Sequence, residues 1–161
     1  LRLFERIGCD TNAVLHMVGV SEENLTIKTI PNNVQCHGRV DLKESIRLTE
    51  SADVLVNIGN LMKNQVPSKI FDYIATGKPI INICKNRDCP TLKYLKEYSL
   101  CLNLYEEDAL LEEQAEIMRA FILNHYQERL RKELLKQIYR DCTAEYCAEV
   151  LFSTIGKTER I

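Results

Sequence analysis

Lys69 and Asp72 stand just behind Pro67 and Ser68, a spacing that could hold a diphosphate and a sugar diol together. Pro67 suits a first helical position, because its ring fixes a helical φ and its missing N–H would be unpaired there anyway. The amides of such a first turn point outward, and the helix dipole favours an anion in front of them. Lys69 adds a full positive charge at the same end. Asp72 lies three residues past Lys69 and four past Ser68, so all three share one helical face. A cationic, amide-rich helix start with a carboxylate one turn on has the complementarity for a nucleotide sugar.

Other candidate chemistry is weaker. His16 and His37 fall in strand-like runs and His125 in a helix. No serine or cysteine nucleophile motif accompanies them, so all three read as structural. Gly156-Lys157-Thr158 has Leu151 where a phosphate-binding loop needs its first glycine, and no strand precedes it. The six glycines never form Gly-x-Gly, against the usual dinucleotide fingerprint. Seven cysteines are irregularly spaced, and neither Cys84/Cys89 nor Cys142/Cys147 has the Cys-x-x-Cys interval of a zinc knuckle. Reduced thiols and no metal are expected. Arg129, Arg131, Lys132, Lys136 and Arg140, interrupted by Glu128 and Glu133, read as a solvated helical face.

The elements that must position Lys69 and Asp72 alternate between strand and helix. Leu3, Phe4 and Ile7 mark a first helix, and the run 13–19 a buried strand. Residues 25–30 alternate, as a short strand or an extended connection. A strand follows at 34–37, then a helix capped by Asp41 that runs to about Glu50, and a strand at 52–58. The polar loop 59–65 leads into the Pro67 helix. Gly77 supplies a left-handed cap, Pro79 prevents further helix, and Ile80 to Ile83 is the next strand. A helix at 91–98, a strand at 100–104, a long amphipathic helix over 106–139 with a break near Asn124, and a helix at 144–155 complete the reading. Alternation of this kind implies an α/β fold, a doubly wound parallel sheet with C-terminal helices. Residues 1–105 form its Rossmann-like core, and 106–161 are helices packing on it. Such sheets bind ligands at strand C-termini, the edge that carries both Gly38-Arg39-Val40 and the loop before Pro67.

With 161 residues and 45% hydrophobic content, the chain can bury a substantial core. A net charge of −2 gives nucleic acid no electrostatic support. No apolar run is long enough to span a bilayer. Leu1 in place of Met suggests a fragment of a longer protein, or else a processed N-terminus.

The segment from Pro67 to Ile81 resembles the donor-site helix of bacterial GT-B glycosyltransferases, in the Pro-x-Lys-Ile-x-Asp-Tyr variety of capsule and surface-polysaccharide enzymes. Val34 to Val40 is similar to their strand-Gly-Arg-Val segment, and Ala52 to Ile58 to their Ala-Asp-Val strand. The three segments stand in the family's order over roughly residues 14 to 105. The resemblance implies a nucleotide-sugar-binding lobe. Amides near Val66, Pro67, Ser68 and Lys69, with the Lys69 ammonium, would hold the diphosphate, and Asp72 the ribose hydroxyls. Gly38, Arg39 and Val40 would receive the base. The donor would be UDP- or GDP-linked, with no further cofactor. The parent enzyme would be cytoplasmic, with peripheral contact at the inner face of the membrane, and would transfer a glycosyl group to a glycan hydroxyl.

Two departures qualify the resemblance. Many retaining members carry a glutamate where this chain has Asn64, eight residues before Asp72. The family's lobe also begins with one more strand, which this chain lacks, leaving a sheet edge through which a homodimer could form. The acceptor site and the catalytic side chain would lie in a missing N-terminal lobe. A nucleotide-sugar 2-epimerase and a non-catalytic interaction domain of the same fold remain as alternatives.

Overall fold

A computed structural model describes residues 1–25, 29–60, 65–108 and 110–158. The chain is α/β with every described strand pair parallel. Helix α1 (Arg2–Thr11) leads to β1 (Leu15–Met17), a short 3-10 turn (Glu22–Asn24), β2 (Val34–Cys36), α2 (Leu42–Ser51) and β3 (Leu55–Ile58). Then come α3 (Lys69–Thr76), β4 (Ile80–Cys84), α4 (Leu92–Leu95), β5 (Cys101–Tyr105) and α5 (Leu111–His125). Helices α6 (Lys132–Ile138) and α7 (Ala144–Thr158) follow, with a 3-10 turn at Arg140–Cys142 between them. Leu1–Arg129 is one compact unit and Leu130–Ile161 a second. The first therefore runs past residue 105 and includes α5. Among the described residues no helix is long and apolar enough to cross a membrane.

Local chemistry explains the punctuation. Asn12 ends α1 at φ 51°, a left-handed conformation that asparagine tolerates better than most residues. Asp41 caps α2 by accepting from the Glu44 amide at 2.7 Å. Gly77 closes α3 at φ 72° and donates its amide to the Ile74 carbonyl.

The strands form two sheets, in the orders β1-β2 and β3-β4-β5, so the single sheet expected from the sequence is divided. Strand alternation then sets the layers. Ile81 and Leu104 join Phe4 and Ile7 of α1, Val34 of β2 and Ala115 and Met118 of α5 in one buried cluster. Val56, Ile83 and Leu102 pack against the same cluster, so α1 and α5 cover that face. The opposite face carries Asn57, Asn82 and Asn103, in register across β3, β4 and β5. Thr91, at the start of α4, donates to Asn82 Oδ1 at 3.1 Å. Phe71 of α3 meets Tyr94 of α4 edge-on, with ring centroids 5.0 Å apart, so these two helices pack together.

The helical segment over 106–139 breaks next to Asn124, as the sequence suggested: α5 ends at His125 and α6 starts at Lys132. Between them the Arg129 guanidinium turns back onto the carbonyls of Tyr126 and Glu128 at 3.0 and 2.6 Å. Elsewhere one expectation changes. The helix at 91–98 is a single turn, Leu92–Leu95. Part of the segment 25–30, at residues 26–28, lies outside the described residues.

Candidate functional site

The β3-β4-β5 sheet fixes where the chain leaves β3. Asn57 Nδ2 donates to Asn82 Oδ1 at 2.7 Å, and Asn82 Nδ2 to Asn103 Oδ1 at 2.8 Å. Buried amides are stable there because each finds a partner. Beyond β3, the Gly59 amide donates to the Ile83 carbonyl at 2.8 Å. A Cβ on Gly59 would stand 2.6 Å from Cys89 Sγ, so close approach requires glycine at this exit. Asn60 Nδ2 then reaches the Gln65 carbonyl at 3.2 Å, which draws the two ends of the loop together and delivers Val66 and Pro67.

Pro67 and Ser68 open α3 with tight hydrogen bonds: the Ile70 amide donates to the Pro67 carbonyl at 3.1 Å and the Phe71 amide to the Ser68 carbonyl at 3.2 Å. The Ser68 hydroxyl makes no capping hydrogen bond to the helix. The start of the helix is therefore not capped by its own N-cap side chain. Ile70 and Ile74 anchor the helix by complete burial of its other side. Lys69 is exposed, as the charged end of the site must be to meet a soluble anion.

An open cleft of about 630 Å³ lies against this helix start, large enough for a nucleotide-sized ligand. Val66, Pro67, Ser68 and Lys69 form one wall, with Tyr73 one turn on. Asn60 and Gln65 line it from the loop, and Val18 with Val56, Asn57 and Ile58 from the strands. Burial, and then the charge of Asp72, push the Tyr73 hydroxyl above its usual range, so it stays protonated and can donate.

Four of the residues singled out from the sequence thus come together. Asp72 is exposed in the first turn of α3, without lining the cleft. Gly38, Arg39 and Val40 also lie off its walls, although they follow the C-terminal end of β2. Gly38 takes φ 62°, and its carbonyl accepts from the Gly19 amide at 2.7 Å, which ties this loop to the one after β1. Arg39 is exposed and Val40 half-buried. Asn64 lies outside the described residues. Beside the Gly38 loop, His16 Nδ1 and His37 Nε2 are 2.8 Å apart with their rings stacked.

Sequence reasoning missed Tyr73, Asn57 and Val18. Tyr73 follows Asp72 on the motif helix and could have been found from that spacing. The others depend on which strand ends meet. Among the described residues no group of three or more His, Cys, Asp or Glu is placed to hold a metal ion. No family model, no curated protein and no solved structure matches this chain.

Proposed function

We propose that this chain binds the nucleoside-diphosphate sugar donor of a GT-B-type glycosyltransferase. One observation carries the reading: the cleft at the strand C-termini has the start of α3 and Lys69 as a wall. The outward amides of that turn and the Lys69 ammonium would hold the diphosphate. Asp72, next on the same helical face, would take the ribose hydroxyls where the nucleoside leaves the cleft. Gly38 to Val40, past the C-terminal end of β2, would receive the base. Tyr73 adds a hydrogen-bond donor inside the cleft.

In the reaction, an acceptor hydroxyl oxygen bonds to the anomeric carbon as the bond to the diphosphate breaks. The hydroxyl proton passes to a base outside these residues. Charge grows on the leaving diphosphate, so preorganised amides and a lysine act where the transition state needs them. The parent enzyme would be cytoplasmic, where nucleotide sugars are drawn on for surface polysaccharide.

Amide NMR titration with UDP, GDP and NADH tests this. One nucleoside diphosphate should shift the signals of residues 38–41 and 65–72, and Lys69→Ala should weaken it at least about tenfold, the loss of one charge-assisted contact. Asp72→Ala should weaken a nucleoside diphosphate but leave inorganic pyrophosphate unchanged. Equal binding by the parent and Lys69→Ala would sink the proposal.

A further inference from the structure

Beside the Gly59 exit, two thiols, a hydroxyl and a side-chain amide lie in mutual contact. Cys84 ends β4, and Cys89 lies five residues on, in the turn that leads to Thr91 and α4. Cys84, Thr91 and Asn82 are wholly buried, and Cys89 is 6% exposed. Buried polar protons need acceptors, so the protons here can be assigned one by one.

Asn82 Oδ1 can only accept, so the single Thr91 hydroxyl proton lies between them, at 3.1 Å. The Thr91 oxygen is then an acceptor toward Cys89, whose thiol donates to it at 3.1 Å. Cys89 has no second proton. Its hydrogen bond with the Cys84 thiol must therefore be donated by Cys84. Asn82 Nδ2 closes the circuit by donating to Cys84 Sγ at 3.1 Å. This order uses each thiol and hydroxyl proton once, and it aims the Cys84 S–H at the Cys89 sulfur. Gly59 gives a second fix on the pair. A Cβ there would stand 2.6 Å from Cys89 Sγ and 3.6 Å from Cys84 Cα, so the Cys89 sulfur lies beside the Cys84 backbone.

We infer that Cys84 and Cys89 form a redox site, where a hydroperoxide converts two adjacent thiols into an intramolecular disulfide that is felt at Gly59. Exposure assigns the roles. Cys89 is the one that reaches the surface, so its sulfur attacks the hydroperoxide. The O–O bond breaks, the thiol proton leaves with the alcohol, and Cys89 becomes a sulfenic acid. The Cys84 sulfur then bonds to the Cys89 sulfur as the S–O bond breaks, and the hydroxyl leaves with the Cys84 proton as water. Two thiols and one hydroperoxide give one disulfide, one alcohol and one water. Burial pushes the Cys84 thiol up to about 12, which suits it to this second step and not to the first. The disulfide removes both S–H donors from the circuit and draws the Cys89 sulfur against Cys84, which alters its contact with Gly59. Ile58, one residue back along β3, lines the cleft. Nothing in this chemistry requires a nucleotide.

The folded 161-residue chain is treated with hydrogen peroxide, its remaining thiols are alkylated, and its tryptic peptides are weighed. Lys85 and Arg87 stand between the two cysteines, so trypsin separates them unless a disulfide holds the pieces together. A linked pair of peptides, about 2 Da lighter than the sum of its parts, is expected from a monomer. Cys84→Ala should stop at the Cys89 sulfenic acid, which dimedone labels, whereas the parent should accumulate little of it. The peptide map of the parent decides the pairing whether or not that variant folds. The Gly59 amide signal should shift on oxidation and return with dithiothreitol. The same treatment in urea provides the mixture of pairings that an unfolded chain gives. That mixture from the folded chain, or a link from Cys84 to Cys101, overturns the proposal. So does alkylation of both thiols under conditions that oxidise the exposed Cys142 and Cys147. A Gly59 signal that stays in place while the link forms overturns the connection to the β3 exit.

Discussion

Gly59→Ala is expected to destabilise the protein, and Cys89→Ala is expected to remove most of that effect. The added methyl carbon would lie 2.6 Å from Cys89 Sγ and 3.3 Å from the Ile83 carbonyl oxygen. Ordinary contacts between such atoms are about 3.5–4.0 Å, so the sulfur must give by about 1 Å. It has little room. Cys89 is buried, and its Sγ lies 3.1 Å from Thr91 Oγ1, which itself donates to Asn82. Overpacking of this kind costs about 1–3 kcal/mol. Loss of glycine freedom in the unfolded chain returns about 0.4–1 kcal/mol, leaving a net loss of about 1–2 kcal/mol. In the Cys89→Ala background the clash with the sulfur is gone and only the contacts of 3.3 Å with the Ile83 carbonyl and 3.6 Å with Cys84 Cα remain, so most of the Gly59→Ala cost should go. The coupling between the two sites is then about 1–2 kcal/mol, above the error of a double-mutant cycle. Urea denaturation of the four proteins measures it. Equal losses in both backgrounds would refute the close-approach argument.

Three further outcomes follow from buried polar groups. Asn82→Ala should cost about 3 kcal/mol or more in urea melts, because Asn57, Asn103 and Thr91 all lose their partner. Lys78→Met should cost about 2 kcal/mol: its ammonium donates to the carbonyls of Thr49, Glu50 and Ala52 at 2.8, 2.5 and 2.7 Å. Burial already holds that ammonium below the usual lysine range, so part of the loss is offset when the charge is removed. Burial also pushes the Cys84 and Cys101 thiols from 9.0 up to about 12. The unfolded chain then releases these protons first, so stability intact below the unfolded value falls as pH rises from 9.0 toward about 12. At about pH 10 the loss should be on the order of 1 kcal/mol per thiol, and Cys101→Ala should remove one share of it. A flat urea midpoint between about pH 8 and about pH 10 would contradict this.

The helix and strand at Lys69–Thr76 and Ile80–Cys84 were legible because local rules agree there. Gly77 takes the left-handed cap, Pro79 stops the helix, and an isoleucine-rich run follows. Lys78 was not legible. A lysine between glycine and proline reads as an exposed turn residue, and only tertiary structure reveals that it closes the end of α2. Asn57, Asn82 and Asn103 each look like a polar interruption in a strand. They become one hydrogen-bonded row only once register is known. The break near Asn124 was legible in the segment 106–139, but its length was not, because the Arg129 side chain folded back on two carbonyls leaves no mark on periodicity. Likewise the division into two sheets depends on strand order, which no local pattern encodes. At the cleft, the sequence exposed the helix start and missed the walls contributed by β3 and the end of β1.

Those missed walls also explain why a row of asparagines sits amid apolar strands. A register slip of one residue would carry Asn57 onto the face shared by Ile81, Leu104 and α1, where the buried cluster is apolar. It would leave the Asn57 amide without its Asn82 acceptor, at a cost of about 1–3 kcal/mol for an unsatisfied buried group. The row therefore specifies register more strongly than interchangeable isoleucines and leucines could. Register in turn decides that Gly59 stands beside Ile83 and Cys89, the one exit from β3 narrow enough to demand glycine. From that exit the chain runs to Asn60, whose amide holds the Gln65 carbonyl, and then to Pro67. The position of the cationic helix start is thus set by polar contacts on the far side of β4, and weakening Asn82 should loosen that helix start without touching it.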